Sequence, residues 1–246
     1  MYLAWDERLC AAVACKLLRP DRTGDEAALR RLRREARILG QLAHPAIVRS
    51  FHSVLDGARP HVVLEYLGGP NLRRRLRRKG SLSLDEVLQV GLQVGGALHY
   101  LEARGLVHLD VKPSNLVLAG RACLLDFSLS RRLERARTLQ RPVGTTEYMA
   151  PELCAPAGTR RIGPPADVWG LGATLYEALC AKRPFPAAGA EGRYPQLDHE
   201  PTPLAADAPA ALAEAILRCL RSDPRQRPKA AEVVAALAPL RGRSGE

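Results

Sequence analysis

The sequence predicts an α+β chain of two unequal lobes: a small antiparallel sheet with one helix, then a larger helical lobe. Three observations carry this. Through the first 67 residues, short apolar runs alternate with turn residues around one charged amphipathic stretch. From "GGPN" (Gly68 to Asn71) onward, apolar residues recur at helical spacing. The composition, 46% hydrophobic and 26% charged over 246 residues, is that of a globular chain long enough to bury a sizeable core.

Taken in order, "MYLAW" and "AAVACKLL" read as strands joined by the turn "DERLC". The loop "RPDRTGD" leads into a charged helix from about Glu26 to Leu42, ending at "AHPAI". "IVRSFHSV" and "HVVLEYL" read as a strand pair split by "LDGARP". Residues 1–67 form the small lobe, residues 68–246 the helical one, and the glycines of "GGPN" mark the hinge. "SLDEVLQVGLQVGGALHYLEARG" has a serine cap, helical apolar spacing and a closing glycine. Short strands are expected at "LVHL", "LVLA" and "ACLLDF", followed by an irregular arginine-rich loop from about Ser128 to Glu152. "ADVWGLGATLYEALC", "APAALAEAILRCLR" and "KAAEVVAALAPL" supply three further helices, and there is no internal repeat.

Several function classes drop out on composition. The six cysteines are scattered, without CxxC pairs or a histidine at ligand spacing, so reduced thiols are expected rather than zinc or disulfides. No run approaches the roughly 18 apolar residues of a membrane span, and the N-terminus lacks a signal peptide's pattern, which predicts a cytoplasmic protein with no membrane contact. The net charge of +11 raises nucleic acid as a partner. Yet the densest basic runs, "LRRLRRE" and "LRRRLRRKG", interleave leucine with arginine as solvated faces of amphipathic helices do. No nucleic-acid motif accompanies them, and no nucleic-acid partner is expected.

The lysines are more telling. In an arginine-rich chain there are five: Lys16, Lys79, Lys112, Lys182 and Lys229. Lys16 sits in the apolar run "AVACKLL" and Lys112 in "VHLDVKPSNLVL", which is followed by "LLDFS" and "GTTEYMAPE". In this order and spacing, from "VACK" to "DPRQRP", the chain resembles the Hanks-type (eukaryotic-like) serine/threonine protein kinases and is similar to their bacterial branch. The resemblance covers nearly the whole chain. It implies a bilobal protein-kinase-like fold, ATP and Mg²⁺ as cofactors, and protein substrates bearing Ser or Thr.

The chemistry fits the residue types. Phosphoryl transfer asks a protein to position two reactants and neutralise developing charge. By the resemblance, Asp110 is the catalytic base toward the acceptor hydroxyl, and Lys112 reaches the transferring phosphate. Asn115 and Asp126 offer the hard oxygens that suit Mg²⁺. Lys16, steadied by Glu35, holds the α- and β-phosphates, a task for a compact ammonium rather than a guanidinium fork. Ala14 and Val117 sandwich the adenine, Leu64 is the gatekeeper, and the backbone from Glu65 to Leu67 pairs with the base. Glu152 and Arg227 form a buried ion pair, Asp167 holds the catalytic-loop backbone, and Thr145 touches Asp110 and Lys112. Self-phosphorylation is expected at Thr138, Thr145 or Thr146. Each residue taken singly has an ordinary structural role; six in family order do not.

The sequence departs from the family in three places. The glycine-rich loop that cradles phosphates precedes a strand resembling "YLAW" in the family, and here Met1 stands where its valine would be. The expectations are weaker ATP binding and an unpaired strand edge; either a true truncation or a misplaced start within a longer reading frame accounts for it. "HLD" replaces HRD, so Leu109 removes the arginine that clamps an activation-loop phosphate. "DFS" replaces DFG, with Ser128 in the glycine's place, and Ser50 stands where an apolar residue is expected beneath the helix. The alternative to a working kinase is a pseudokinase, a nucleotide-binding or scaffolding module.

Overall fold

The computed structural model describes residues 1–18, 25–157, 162–186, 194–204 and 208–242; most of the loop "RPDRTGD" lies outside them. The first strands, β1 (Tyr2–Asp6) and β2 (Ala11–Leu17), form the expected hairpin. With β3 (Ser50–Val54) and β4 (His61–Glu65) they make one antiparallel sheet in the order β1-β2-β4-β3. Register puts Ala14 and Lys16 on one face with Val62 and Leu64, opposite to Cys15 and Val63. Among the described residues β1 pairs only with β2, so the expected open edge is present, and Tyr2, Leu3 and Trp5 on it are each more than half exposed.

Helix α1 (Glu26–Leu39) crosses behind the sheet, capped by Asp25, whose side chain accepts from the backbone N–H of Ala27 and Ala28. It ends three residues earlier than its apolar pattern suggests. At Gly40, Gln41 and Leu42 the chain tightens into short-range bonds, with Leu42 N–H reaching the Leu39 carbonyl at 3.1 Å. Ser50 opens β3 half-buried, beside a register irregularity against β4, so no apolar side chain stacks there.

The helical lobe starts with α2 (Leu72–Lys79), capped by Asn71, and α3 (Leu84–Ala103), whose Ser83 and Glu86 make a reciprocal capping box. Strands β5 (Leu106–Val107), β6 (Leu116–Leu118) and β7 (Ala122–Leu124) follow as expected. The stretch expected to be irregular is partly ordered: β8 (Arg131–Arg132) pairs with β5, and one turn of helix, α4 (Leu133–Ala136), follows. Two-residue pairings have no periodicity that a sequence could announce. After α5 (Pro151–Cys154) come α6 (Pro164–Cys180), α7 (Ala210–Cys219) and α8 (Ala230–Leu237).

Helix α6 is apolar on nearly all sides and runs through the core, with Trp169, Leu171 and Leu175 almost inaccessible. Two glycines let other segments come close. A Cβ on Gly170 would lie 2.8 Å from the Val111 carbonyl oxygen, so only glycine lets α6 touch the 108–115 loop. A Cβ on Gly91 of α3 would lie 2.4 Å from Leu237 of α8. The cysteines are free thiols, as expected, and burial pushes Cys123, Cys154 and Cys219 up to about 12, which keeps them protonated and inert. Among the described residues no helix is long and apolar enough to cross a membrane.

Candidate active site

Between the two lobes lies a cavity of about 800 Å³. Strand β2 turns Ala14 and Lys16 into it, β4 and the following segment contribute Leu64, Glu65 and Leu67, and α1 contributes Glu35. From the helical lobe come Asn115, Val117 and Asp126. All of the residues expected to hold nucleotide or metal therefore line one space. Met1, Tyr2, Asn71, Ser114 and Leu125 line it too, positions at which residue type carries no chemical signal.

Lys16 Nζ lies 2.7 Å from both carboxylate oxygens of Glu35 and 2.8 Å from Asp126 Oδ1, so one ammonium ties β2 to α1 and to the helical lobe. Burial works against its charge, but the two carboxylates outweigh it and hold the Lys16 pKa above the ordinary lysine value. Burial pushes Glu35 up, against the pull of Lys16. At Asp126 the pull of Lys16 outweighs burial and holds the pKa at about 2, so this carboxylate stays ionised. Asp126 occupies the left-handed region at φ 58°, as does Leu109 at 65°. Ser128 does not, which is why a serine fits where the family has glycine, and Arg34 of α1 fixes its carbonyl at 2.7 Å.

The second cluster sits on the loop between β5 and β6. Asp110 Oδ2 accepts from Lys112 Nζ at 2.7 Å and from Asn115 Nδ2 at 3.0 Å, while its Oδ1 accepts from the Thr145 hydroxyl at 2.8 Å. Lys112 also donates to Thr145 Oγ1. Because Asn115 spends its amide nitrogen on the Asp110 side chain and carbonyl, its oxygen is left for another partner. Asp167, on α6, accepts from the backbone N–H of His108 at 2.7 Å and of Leu109 at 2.6 Å, which holds the loop. Arg227 makes a fork to Glu152 at 2.7 and 2.9 Å, both buried. Asn115 and Asp126 supply two hard oxygen donors, the number Mg²⁺ takes from a protein when water and phosphate complete its shell. The donor set fits that ion.

An ammonium clasped by a helix glutamate, a loop aspartate flanked by lysine and asparagine, and a second aspartate thus face one shared cleft. Residues 1–237 match the protein kinase domain family, and the chain belongs to it. Among its relatives, the serine/threonine-protein kinase PknA of Mycobacterium tuberculosis is 35% identical over 235 residues, 91% of this chain and 54% of that protein. The probable serine/threonine-protein kinase PknB of Bifidobacterium longum is 34% identical, covering 75% of this chain and 29% of that protein. A probable serine/threonine-protein kinase of Clostridium acetobutylicum is 28% identical over 92% of the chain and 35% of its own length. The chain thus spans about half of the first of these relatives and about a third of the others.

Proposed function

We propose that the chain is a serine/threonine protein kinase that transfers the γ-phosphate of Mg·ATP to hydroxyls of protein substrates, residues 1–67 and 68–246 being the two lobes of one catalytic unit. The observation that carries the reading is the convergence of Lys16, Glu35 and Asp126 with Asp110, Lys112 and Asn115 from segments far apart in the chain.

Lys16, oriented by Glu35, anchors the α- and β-phosphates, and the base lies between Ala14 and Val117 against the backbone of Glu65 to Leu67. Asn115 and Asp126 would hold Mg²⁺, which supplies charge neutralisation on the phosphates. Asp110 accepts a hydrogen bond from the acceptor hydroxyl, aims its oxygen and receives its proton. Lys112 neutralises the transferring phosphoryl group. Thr145, bonded to both, orders this pair, and its hydroxyl is already engaged. Thr138 is exposed and, among the described residues, bonds locally to the Arg135 carbonyl, so self-phosphorylation falls there rather than on Thr145.

The test is transfer of labelled γ-phosphate from Mg·ATP to a protein acceptor and to the chain itself, beside Asp110→Asn. The variant is expected to lose roughly a hundredfold or more. Equal transfer by both, or none by either above background, would overturn the reading in favour of a pseudokinase.

A further inference from the structure

Beside the 108–115 loop helix α2 turns a basic face to the surface. Helix α2 opens at Asn71, which bridges to Val117 of β6, and the helix packs on the turn Pro113–Asn115. Its first turn therefore stands next to Ser114 at the rim of the cleft. Leu72 and Leu76 anchor it, and Arg75 is paired with Glu86. Arg73 is half-buried yet has no hydrogen bond or ion pair among the described residues, while Arg77 lies one turn along the same ridge, exposed. Arg74, Arg78 and Lys79 are exposed as well.

An acceptor hydroxyl must reach Asp110, so the segment carrying it passes along the turn that starts at Thr145 and runs through Tyr148. On that turn Glu147 is bound to Arg183 at 3.2 Å, and the Tyr148 hydroxyl donates to Glu177. Each carboxylate thus already carries one partner. The packing of α2 on the turn Pro113–Asn115 sets its first turn, which carries Arg73, beside the loop that holds Asp110. The exposed carboxylates Asp198 and Glu200 follow a turn that packs on α5 and that Gln196 bonds to the Thr146 and Met149 carbonyls.

We propose that the acceptor segment is acidic: Asp or Glu residues flanking the acceptor Ser or Thr dock on Arg73 and Arg77, which makes these arginines specificity-determining residues of the site. A basic face turned to water is ordinary on a helix, and Arg74 and Arg78 need no more than that. Arg73 differs because, half-buried and without an acceptor among the described residues, it is held in place for a carboxylate more firmly than a fully exposed arginine. A basic acceptor would bring like charge to Arg73 and Arg77.

This inference rests on the kinase reading, and the experiment separates the two. Two synthetic peptides share one threonine acceptor, one flanked by Glu and Asp, the other by Lys and Arg, and kcat/KM is measured with Mg·ATP for the full chain. The acidic peptide is expected to be preferred by about tenfold or more. The double variant Arg73→Glu, Arg77→Glu is expected to abolish or invert the preference while its KM for ATP holds. Equal use of the peptides, a basic preference, or a preference that survives in the variant overturns the proposal and leaves the kinase reading standing. Where no phosphate moves, anisotropy of the same peptides carrying a fluorophore decides. Acidic binding that the variant loses supports the docking and overturns the kinase reading; no such binding overturns the docking.

Discussion

His108 is fully buried and makes two hydrogen bonds of opposite sense: its Nε2 meets the Leu125 carbonyl at 3.1 Å, and its Nδ1 meets the Asp110 N–H at 3.3 Å. A carbonyl needs a donor and an N–H needs an acceptor, so the partners assign the neutral tautomer with the proton on Nε2. Burial keeps it neutral by lowering its pKa. The next buried group in the chain of contacts is Asp167, which burial pushes up to about 7 from the ordinary 3.8, against the pull of the two N–H groups it holds. Between those values the folded chain keeps a proton that an unfolded chain has released. The stability Asp167 contributes is therefore complete below the lower value and is lost as the pH climbs through the higher one. Asp167→Asn cannot ionise. Denaturant midpoints from mildly acidic to mildly basic pH should show the native chain losing ground relative to this variant as pH rises, and parallel curves would refute that. A second residue-scale expectation concerns Leu109, buried at 3% exposure where the family's phosphate-clamping arginine would stand. Thr138→Ala should keep transfer activity within a few-fold, as read by the labelled-phosphate assay, and complete loss would contradict it.

At the scale of elements, the turn between β6 and β7 carries a contact that no motif announced. Arg121 donates to Glu65 at 2.6 Å and to the Pro45 carbonyl at 2.7 Å, tying the helical lobe to the end of β4 and to the loop behind α1. Glu65 begins the segment proposed to bind the base, so Arg121→Ala should raise the KM for Mg·ATP by about two- to fivefold, the scale of a partly exposed ion pair, with a smaller change in kcat. An unchanged KM would show that Arg121 only decorates the surface. Arg121 was invisible beforehand because one more arginine in an arginine-rich chain carries no signal; its meaning comes from a turn that brings it 56 residues back to Glu65. Lys16, Glu35, Asp110 and Asp126 were legible for the opposite reason, since lysine is scarce here and the four stand in a fixed order. Helices α3 and α6 were legible from capping and apolar content, whereas β8 and α4 are too short to repeat any pattern.

The whole molecule depends on a few long-range ties. Arg227 has no exposed side-chain surface, and besides Glu152 it donates to the carbonyls of Arg221, Pro165 and Ser222 while lying over the Trp169 ring. Glu152→Ala would strand that charge in the core, and thermal or denaturant unfolding should report a loss of about 3–5 kcal/mol. A loss below about 1 kcal/mol would mean the carbonyls suffice. The small lobe is tied differently, by the Lys16–Asp126 pair, by Arg34 to the Ser128 carbonyl and at one corner. Behind α1, Val48 N–H bonds to the Leu124 carbonyl at 3.0 Å and Leu124 N–H to the Ala46 carbonyl at 2.8 Å, joining this loop to β7. The Glu65 end of β4 is beside that corner, while the turn at residues 55–60 is at the strand's other end. Lys16 and Glu35 lie farther out, and Asp126 holds them across the cleft. On the proposed function, a phosphate that drew Lys16 off Asp126 would loosen this farther tie and leave the small lobe held beside the site of the base.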